Sequence, residues 1–214
     1  MFDWRGTLVH DPPDDWWMTQ ALERVGRSAS LSTVFALCEQ LRSAAQEPEI
    51  VAAERSADCS PALHRAASTR RFRAAGFDDE LATALYDLDL EPGSHPFYPD
   101  VPAVLRALHE RGCRVALVSD IHFDLRPEFE AAGVAEYVDA FILSFEHGVQ
   151  KPNPEIFEIA LRMLGAAPEE TLMVGDRASH DGGAVAVGIT TLLFPALDSA
   201  TSSRGLADVL ALVH

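Results

Sequence analysis

The sequence predicts an α/β fold in which a parallel sheet with helices on both faces is interrupted by an all-helical insertion. Short apolar segments alternate with helical patterns through the second half of the chain, which is typical of a parallel sheet. Residues 14–92, in contrast, carry helical patterns without a convincing strand. At 214 residues and 48% hydrophobic content, the chain can form a core domain that carries a smaller one.

The predicted sheet draws most of its strands from the second half. Four short apolar segments predict strands at residues 114–118, 140–143, 171–174 and 189–193, and residues 1–2 lead into the sheet as a first strand. Between them, residues 123–132 read as a helix. Two further helices follow from apolar spacing, with the faces Val101, Val104, Leu105 and Leu108, and Ile156, Ile159, Ala160 and Met163.

The insertion reads as a helical domain. Amphipathic spacing predicts two helices, marked by Val34, Leu37, Cys38 and Leu41 and by Leu81, Ala84, Leu85 and Leu88. Two more are predicted near residues 16–26 and 60–75. Residues 91–96 are rich in Pro and Gly and read as a linker. The predicted domains are therefore residues 1–13 with 93–214, and residues 14–92.

Composition narrows the possible partners and the location. The formal net charge of −16 disfavours nucleic acids and anionic membranes as partners, because both carry negative charge. The three cysteines are sparse and lack metal-ligand spacing, which favours a reducing compartment. The chain shows neither a secretion leader nor an apolar segment of membrane-spanning length. We therefore expect a cytoplasmic protein.

Polar residues suited to phosphoryl chemistry follow the predicted strands. Ligands bind at the carboxyl ends of parallel strands. Four acids and a hydroxyl follow the predicted strands, namely Asp3, Ser119, Asp120, Asp176 and, five residues later, Asp181. The only lysine of the chain, Lys151, stands just before a predicted helix. A carboxylate can attack phosphorus, Mg²⁺ prefers hard oxygen ligands, and a lysine and a hydroxyl can hold phosphoryl oxygens.

Four segments, in this order, resemble the four motifs of the haloacid dehalogenase-like hydrolases. Each motif alone is weak, and their joint order at strand ends carries the resemblance. They are Asp3-Trp4-Arg5-Gly6-Thr7-Leu8-Val9, Ser119-Asp120, Lys151-Pro152-Asn153-Pro154 and Gly175-Asp176-Arg177-Ala178-Ser179-His180-Asp181. The resemblance covers nearly the whole chain. It implies a Rossmann-like core, and residues 14–92 are similar to the family's helical cap.

The resemblance also implies roles for individual residues. Asp3 corresponds to the nucleophile, and Lys151 to the lysine that steadies the nucleophile and the phosphate. Thr7 and Ser119 are the expected phosphate contacts, with Asp120 and the Arg5 side chain as lesser substrate-binding candidates. The expected Mg²⁺ ligands are Asp3, the backbone carbonyl of Arg5, Asp176 and, in support, Asp181. The expected substrate is a small phosphorylated anion, and the expected assembly a monomer or homodimer.

The first motif departs from that of the family's phosphatases, which have a second Asp where this chain has Arg5. That Asp protonates the leaving oxygen and then activates water, and a guanidinium cannot release a proton near neutral pH. His10 or His122 could replace it, although both read more simply as solvated loop residues.

Three alternatives to an ordinary phosphatase follow from Arg5. Phosphonoacetaldehyde hydrolases have a similar first motif but use a cap lysine, and residues 14–92 contain none. Haloacid dehalogenases need no metal and usually lack the acidic fourth motif, which this chain keeps. The third alternative is a catalytically impaired relative that serves as a binding module.

The first strand is short, because only Met1 and Phe2 precede the nucleophile. Two residues give about 7 Å of strand. Either further strand residues belong before these two, or the strand is stunted and holds Asp3 loosely.

Overall fold

The chain folds into two compact units, which we call the sheet unit and the helical unit. The computed structural model describes residues 1–195, 197 and 199–213. The sheet unit comprises Met1–Asp11 and the chain from His95 onward, and the helical unit comprises Pro12–Ser94. That the helical unit serves as a cap stays a prediction.

Among its described residues, the sheet unit contains four short parallel strands in two pairs. Residues 1–2 lie between the two pairs, and we call this segment the central row. The strands are β1 (Ala116–Ser119), β2 (Ala140–Leu143), β3 (Leu172–Gly175) and β4 (Thr190–Leu193). β1 pairs with β2 and β3 pairs with β4, both in parallel. Phe2 forms parallel bridges to Leu117 of β1 and to Val174 of β3, and so joins the two pairs. The prediction of an α/β fold with a parallel sheet is confirmed.

Backbone hydrogen bonds hold the central row on both sides. Toward β1, Phe2 N donates to Ala116 O and Val118 N donates to Phe2 O, each at 2.8 Å. Toward β3, Asp3 N donates to Val174 O and Val174 N donates to Met1 O, each at 2.9 Å. The backbone of Asp3 is therefore tied directly to the sheet.

The core of this unit lies on both faces of the sheet, because successive strand side chains point to opposite faces. In β1, Leu117 packs into the cluster with Phe2, Leu105 and Phe129, whereas its neighbours Ala116 and Val118 pack into the opposite cluster. Helices cover both faces, as the sequence predicts.

Within its described residues, the sheet unit has four α-helices: α6 (Val101–Glu110), α7 (Arg126–Ala131), α8 (Ser144–His147) and α9 (Pro154–Leu164). The predicted face of α6 is buried in full. The predicted face of α9 is wrong in part, because Met163 is exposed and Phe157 and Leu164 are buried instead. Asn153 begins α9 by accepting a hydrogen bond from Glu155 N, which caps one of the unpaired first-turn amides.

The helical unit contains five α-helices: α1 (Asp14–Arg24), α2 (Leu31–Ala44), α3 (Pro48–Glu54), α4 (Pro61–Ala74) and α5 (Asp79–Asp89). Ser30, Ser60 and Asp78 cap α2, α4 and α5 through their side chains. The sequence analysis did not identify α3, which is seven residues long and buries only Ile50. Across the described residues, no helix has the length and apolarity that a bilayer crossing requires.

Asp100 fastens the C-terminal segment to the sheet unit. Its carboxylate accepts hydrogen bonds from Ser203 Oγ and from the backbone amides of Arg204, Gly205 and Leu206, at 2.8 to 3.0 Å. Burial opposes ionisation of Asp100, but these hydrogen bonds outweigh it, and the pKa of Asp100 is lowered from its ordinary value.

We expect Asp100→Asn to lower the free energy of unfolding by about 1.5–3 kcal/mol at neutral pH, the usual contribution of hydrogen bonds to a charged group. Because the folded-state pKa lies below the ordinary value of 3.8, the stabilisation is present at neutral pH and is lost as the pH falls through the folded-state pKa. Urea unfolding of both proteins across this pH range measures it. Asp87→Asn, at an exposed position of α5, is the control. A difference that does not shrink on acidification would contradict the assignment.

Candidate functional site

The candidate site forms where the central strands of the sheet end. Asp3 directly follows the central row, Ser119 is the last residue of β1, and Asp176 directly follows β3. Since the three strands are parallel, their carboxyl ends meet at one edge of the sheet. The acids and the hydroxyl that the sequence singles out are therefore placed at the same edge.

Lys151 is the centre of the site. Its Nζ lies 2.5 Å from Asp3 Oδ1 and 2.6 Å from Asp181 Oδ1, and all three side chains are buried. The backbone N of Lys151 donates to Asp120 Oδ1 at 2.8 Å. One lysine thus joins residues from all four motifs.

Burial and charge act in opposite directions on these groups. Burial by itself lowers the pKa of Lys151, but the carboxylates of Asp3, Asp120 and Asp181 outweigh it and raise that pKa above its ordinary value. The ammonium therefore stays charged. Asp120 lacks a direct contact with this ammonium, and burial is the main cause that raises its pKa to about 6.

Asp181 locks the loop that follows β3. It is fully buried, and its Oδ2 accepts hydrogen bonds from Asp176 N at 3.1 Å and from Arg177 N at 3.0 Å. Since its Oδ1 contacts Lys151, both of its oxygens have donors. A Cβ on Gly175 would come within 2.2 Å of Asp181 Oδ2, so only glycine leaves room for this arrangement.

Asp176 differs from Asp181 because its carboxylate has no donor within the described residues. Its Oδ1 is buried and makes no hydrogen bond there. Burial first, and then the charges of Asp3 and Asp181, raise the pKa of Asp176 to about 6. Gly6, at a φ of +70°, passes so close that a Cβ there would lie 2.4 Å from Asp176 Oδ2. The backbone of the first motif and this carboxylate therefore face each other at close range.

These residues fit a divalent cation. Ligand oxygens of Asp3, Asp176 and Asp181 all lie within 4.8 Å of one another. The ammonium of Lys151 lies among four carboxylates, those of Asp3, Asp120, Asp176 and Asp181. A hard cation needs carboxylate oxygens that are not already hydrogen-bonded, and Asp176 Oδ1 is one among the described residues. Asp176 and Asp3 are better suited as ligands than Asp181, whose oxygens already accept hydrogen bonds from three groups.

The remaining predicted site residues lie around this centre. Thr7 is fully buried, and its Oγ1 makes no hydrogen bond among the residues described. Ser119 is buried at the end of β1. Arg5 is half-buried, with its guanidinium carbon 5.4 Å from the ring centroid of Trp4.

The interpretation of His10 and His122 as solvated loop residues is wrong, because both are buried. Each lies beside an aromatic ring: the ring centroids of His10 and Tyr98 are 6.1 Å apart, and those of His122 and Phe123 are 5.1 Å apart. Both histidines are therefore part of packed regions of the protein rather than solvated loops.

Two arginines at the site were not assigned a role from the sequence. Arg177 Nη2 lies 3.8 Å from Asp120 Oδ2, with its side chain about half exposed. Arg204 Nε donates to Gly6 O at 2.7 Å across 198 residues of sequence. Arg177 sits inside the fourth motif and could have been considered, whereas no local pattern marks Arg204.

Comparison with known proteins assigns the family. A family model described as haloacid dehalogenase-like hydrolase matches residues 1–188. The chain belongs to the haloacid dehalogenase-like hydrolase family. A solved dehalogenase shares the fold, with a TM-score of 0.67 and 21% identity over 99% of this chain and 95% of that one.

Curated relatives of this family member match it over part of their length. A phosphoserine phosphatase from Thermus thermophilus is 38% identical over 103 residues, which cover 48% of this chain and 40% of the relative. A glyceraldehyde 3-phosphate phosphatase from Methanopyrus kandleri is 38% identical over 97 residues, which cover 44% and 42%. The chain thus matches about two fifths of the length of these relatives.

We expect Lys151→Met to lower the free energy of unfolding by about 3–5 kcal/mol, because it leaves buried carboxylates without their cation. The loss should shrink as the pH falls, since protonation neutralises those carboxylates. Denaturant unfolding at several pH values measures both effects. Arg126→Met is the matched control: it removes the partly exposed ion pair with Glu146, which should cost about 1 kcal/mol or less. Equal losses in the two variants would contradict the view that Lys151 offsets buried charge.

Proposed function

We propose that this protein is a Mg²⁺-dependent phosphatase of a small phosphorylated metabolite and works through an aspartyl-phosphate intermediate. One observation carries the proposal. The buried ammonium of Lys151 holds Oδ1 of Asp3 at 2.5 Å, at the point where the carboxylates of Asp3, Asp176 and Asp181 come together. A carboxylate whose position is fixed in this way is suited to nucleophilic attack.

The reaction needs two displacements at phosphorus. In the first, an oxygen of Asp3 forms a bond to phosphorus and the bond from phosphorus to the leaving oxygen breaks. In the second, water attacks the aspartyl phosphate, which releases inorganic phosphate and regenerates the carboxylate. Lys151 stabilises the charge on the nucleophile and on the phosphoryl oxygens, and Thr7 and Ser119 supply hydroxyls to those oxygens.

Asp3, Asp176 and the backbone carbonyl of Arg5 would hold the Mg²⁺ ion, with Asp181 supporting the loop that carries Asp176. When bound, Mg²⁺ neutralises charge on the phosphoryl group and so lowers the cost of bringing an anion to an acidic site. Without a cation, four carboxylates near one ammonium would repel a phosphate dianion. The charge balance of the site therefore supports a metal-dependent reaction.

The relatives support a phosphorylated substrate. Two of them are named as a phosphoserine phosphatase and a glyceraldehyde 3-phosphate phosphatase, and both act on small anionic phosphate esters by those names. We propose a substrate of the same class. The cytoplasmic location and the monomeric or dimeric state stay predictions.

Arg5 favours one second candidate, a hydrolase of carbon–halogen or carbon–phosphorus bonds. A Schiff-base mechanism like that of phosphonoacetaldehyde hydrolases is disfavoured, because the only lysine stays charged between Asp3 and Asp181 and an attacking amine must be neutral. A dehalogenase reaction remains compatible with Asp3 as nucleophile, but it leaves the donor-free carboxylate of Asp176 without a purpose. The third alternative, a catalytically impaired binding module, predicts ligand binding without turnover.

A substrate panel tests the proposal. Phosphate esters, phosphonates and haloacids are assayed with and without Mg²⁺, using wild type, Asp3→Asn and Asp176→Ala. We expect Mg²⁺-dependent release of phosphate by wild type, loss of turnover in Asp3→Asn, and loss of Mg²⁺ binding in Asp176→Ala by calorimetry, because such sites depend on few carboxylates. Asp124→Ala, at an exposed acid, is the control for metal binding. Mg²⁺-independent turnover of a haloacid would establish the second candidate instead.

Arg5 should make this protein slow toward alkyl phosphates. Positioned acid–base catalysis contributes about 10² to 10⁴ in rate, and alkoxide leaving groups need a proton far more than aryl oxides or carboxylates do. We expect Arg5→Asp to raise turnover of alkyl phosphates much more than turnover of aryl phosphates. The ratio of the two gains is the measurement, since changes in folding or metal affinity cancel in it.

Arg5→Ala is the matched control, because it removes the guanidinium without restoring an acid. Weaker binding of substrates with a second anionic group in Arg5→Ala would mark Arg5 as a specificity residue. If wild type already hydrolyses alkyl phosphates rapidly and Arg5→Asp leaves the ratio unchanged, another group supplies the proton, and His10 and His122 are the candidates.

A further inference from the structure

Arg204 lies outside the matched family region and makes unusual contacts for a buried arginine. It is 3% exposed, and its guanidinium donates to two backbone carbonyls: Nε to Gly6 O and Nη1 to Pro195 O, each at 2.7 Å. Its Nη2 is buried without a partner among the described residues. The guanidinium carbon lies 5.7 Å from the ring centroid of Tyr98 and 5.1 Å from that of Phe194.

Among the described residues, the contacts of the Arg204 guanidinium are with backbone carbonyls and aromatic rings, and none of them is an ion pair. Burial lowers the pKa of Arg204, and the more distant Tyr98, Asp176 and Asp100 offset it only in part. Burying a charge is costly, and contacts with carbonyls and aromatic rings offset part of that cost.

Anchoring of the C-terminal segment does not account for the burial of Arg204. Asp100 already holds that segment through Ser203 Oγ and three backbone amides, and none of these bonds uses the Arg204 side chain. Within the first motif, the Arg204 guanidinium donates a hydrogen bond to Gly6 O. The effect of this side chain should therefore be sought at Gly6.

Gly6 is where backbone geometry affects the site most. Its N–H donates to Val9 O at 2.9 Å and its C=O accepts from Arg204, so the peptide planes on both sides of this glycine are fixed. The first of these planes carries the carbonyl of Arg5. At a φ of +70°, glycine has more conformational freedom than other residues, and its Cα lies against the carboxylate of Asp176. A small rotation here would change the spacing between the first and fourth motifs.

We propose that Arg204 is a positioning residue that fixes the turn after the nucleophile, and with it the carbonyl of Arg5, opposite Asp176. Its link to the metal rests on the proposed function, whereas its effect on the turn does not. Arg204 supplies from the C-terminal segment a constraint that neither the first nor the fourth motif contains.

Hydrogen exchange measured by mass spectrometry on the metal-free protein tests the turn directly. We compare wild type, Arg204→Ala, Arg204→Lys and Ser203→Ala. Ser203→Ala is the matched control, because it removes one bond of the same segment to Asp100 and leaves Gly6 O bonded. We expect faster exchange in peptides that cover residues 3–9 in Arg204→Ala, a smaller increase in Arg204→Lys, and no increase in Ser203→Ala. Unchanged exchange in Arg204→Ala, or equal increases in Ser203→Ala, would overturn the proposal.

Metal binding and kinetics provide the second measurement. We expect the Kd for Mg²⁺ to rise about 10- to 100-fold in Arg204→Ala, the usual effect of losing a group that orients metal ligands. The kcat should fall by about the same factor with little change in KM, and millimolar guanidinium should restore part of it. An unchanged Kd and kcat beside a Mg²⁺-binding wild type would overturn the metal link. A wild type that binds no Mg²⁺ refutes the proposed function, and the exchange result then decides the role of Arg204 alone.

Discussion

The contact of the Lys151 ammonium with buried carboxylates is the constraint on which the site depends. Bringing Asp3, Asp120 and Asp181 out of water together is costly, and one ammonium 2.5 to 2.6 Å from two of them makes it feasible. The same contacts fix the geometry. Lys151 holds Asp3 and the fourth-motif loop at one point, while its backbone N donates to Asp120. The contacts of Lys151 therefore both stabilise the buried carboxylates and fix their positions. A substitution of Lys151 would affect both.

Close approach of backbone to side chain is the second requirement, and glycine meets it at two positions. At Gly175 a Cβ would collide with Asp181, and at Gly6 with Asp176. The missing Cβ at Gly175 lets the Asp181 carboxylate accept hydrogen bonds from Asp176 N and Arg177 N. The missing Cβ at Gly6 lets the turn after Asp3 approach Asp176, whose buried Oδ1 has no donor among the described residues. Because these glycines lack a Cβ, the carboxylates of Asp176 and Asp181 can lie close to the backbone. Repulsion between the negative charges of these carboxylates would otherwise separate them.

The parallel sheet and the helical insertion could be predicted from the sequence, because local periodicity in the sequence indicates strands and helices. The acids of the site could be predicted because they follow strands, and Lys151 because it is the only lysine of the chain and stands just before a helix. The α9 face was wrong at Met163, since spacing alone cannot tell which neighbouring apolar residue meets the sheet. Helix α3 was too short to give a pattern. The burial of His10 and His122 was not predicted. The contact of Arg204 with Gly6 joins residues 198 positions apart, so no local pattern could indicate it.

The contacts of the central row with the sheet end before the turn that follows Asp3, which is why distant residues matter here. Met1, Phe2 and Asp3 are hydrogen-bonded to β1 and β3 through their backbones. These bonds fix the backbone of Asp3 but not the turn beyond it. That turn is held by its own bonds to Val9 and Trp4 and, from outside, by Arg204. The position of Asp3 and of the turn after it therefore depends on three separate contacts. The sheet fixes the backbone of Asp3, Lys151 fixes its carboxylate, and Arg204 of the C-terminal segment constrains the backbone at Gly6, which faces Asp176.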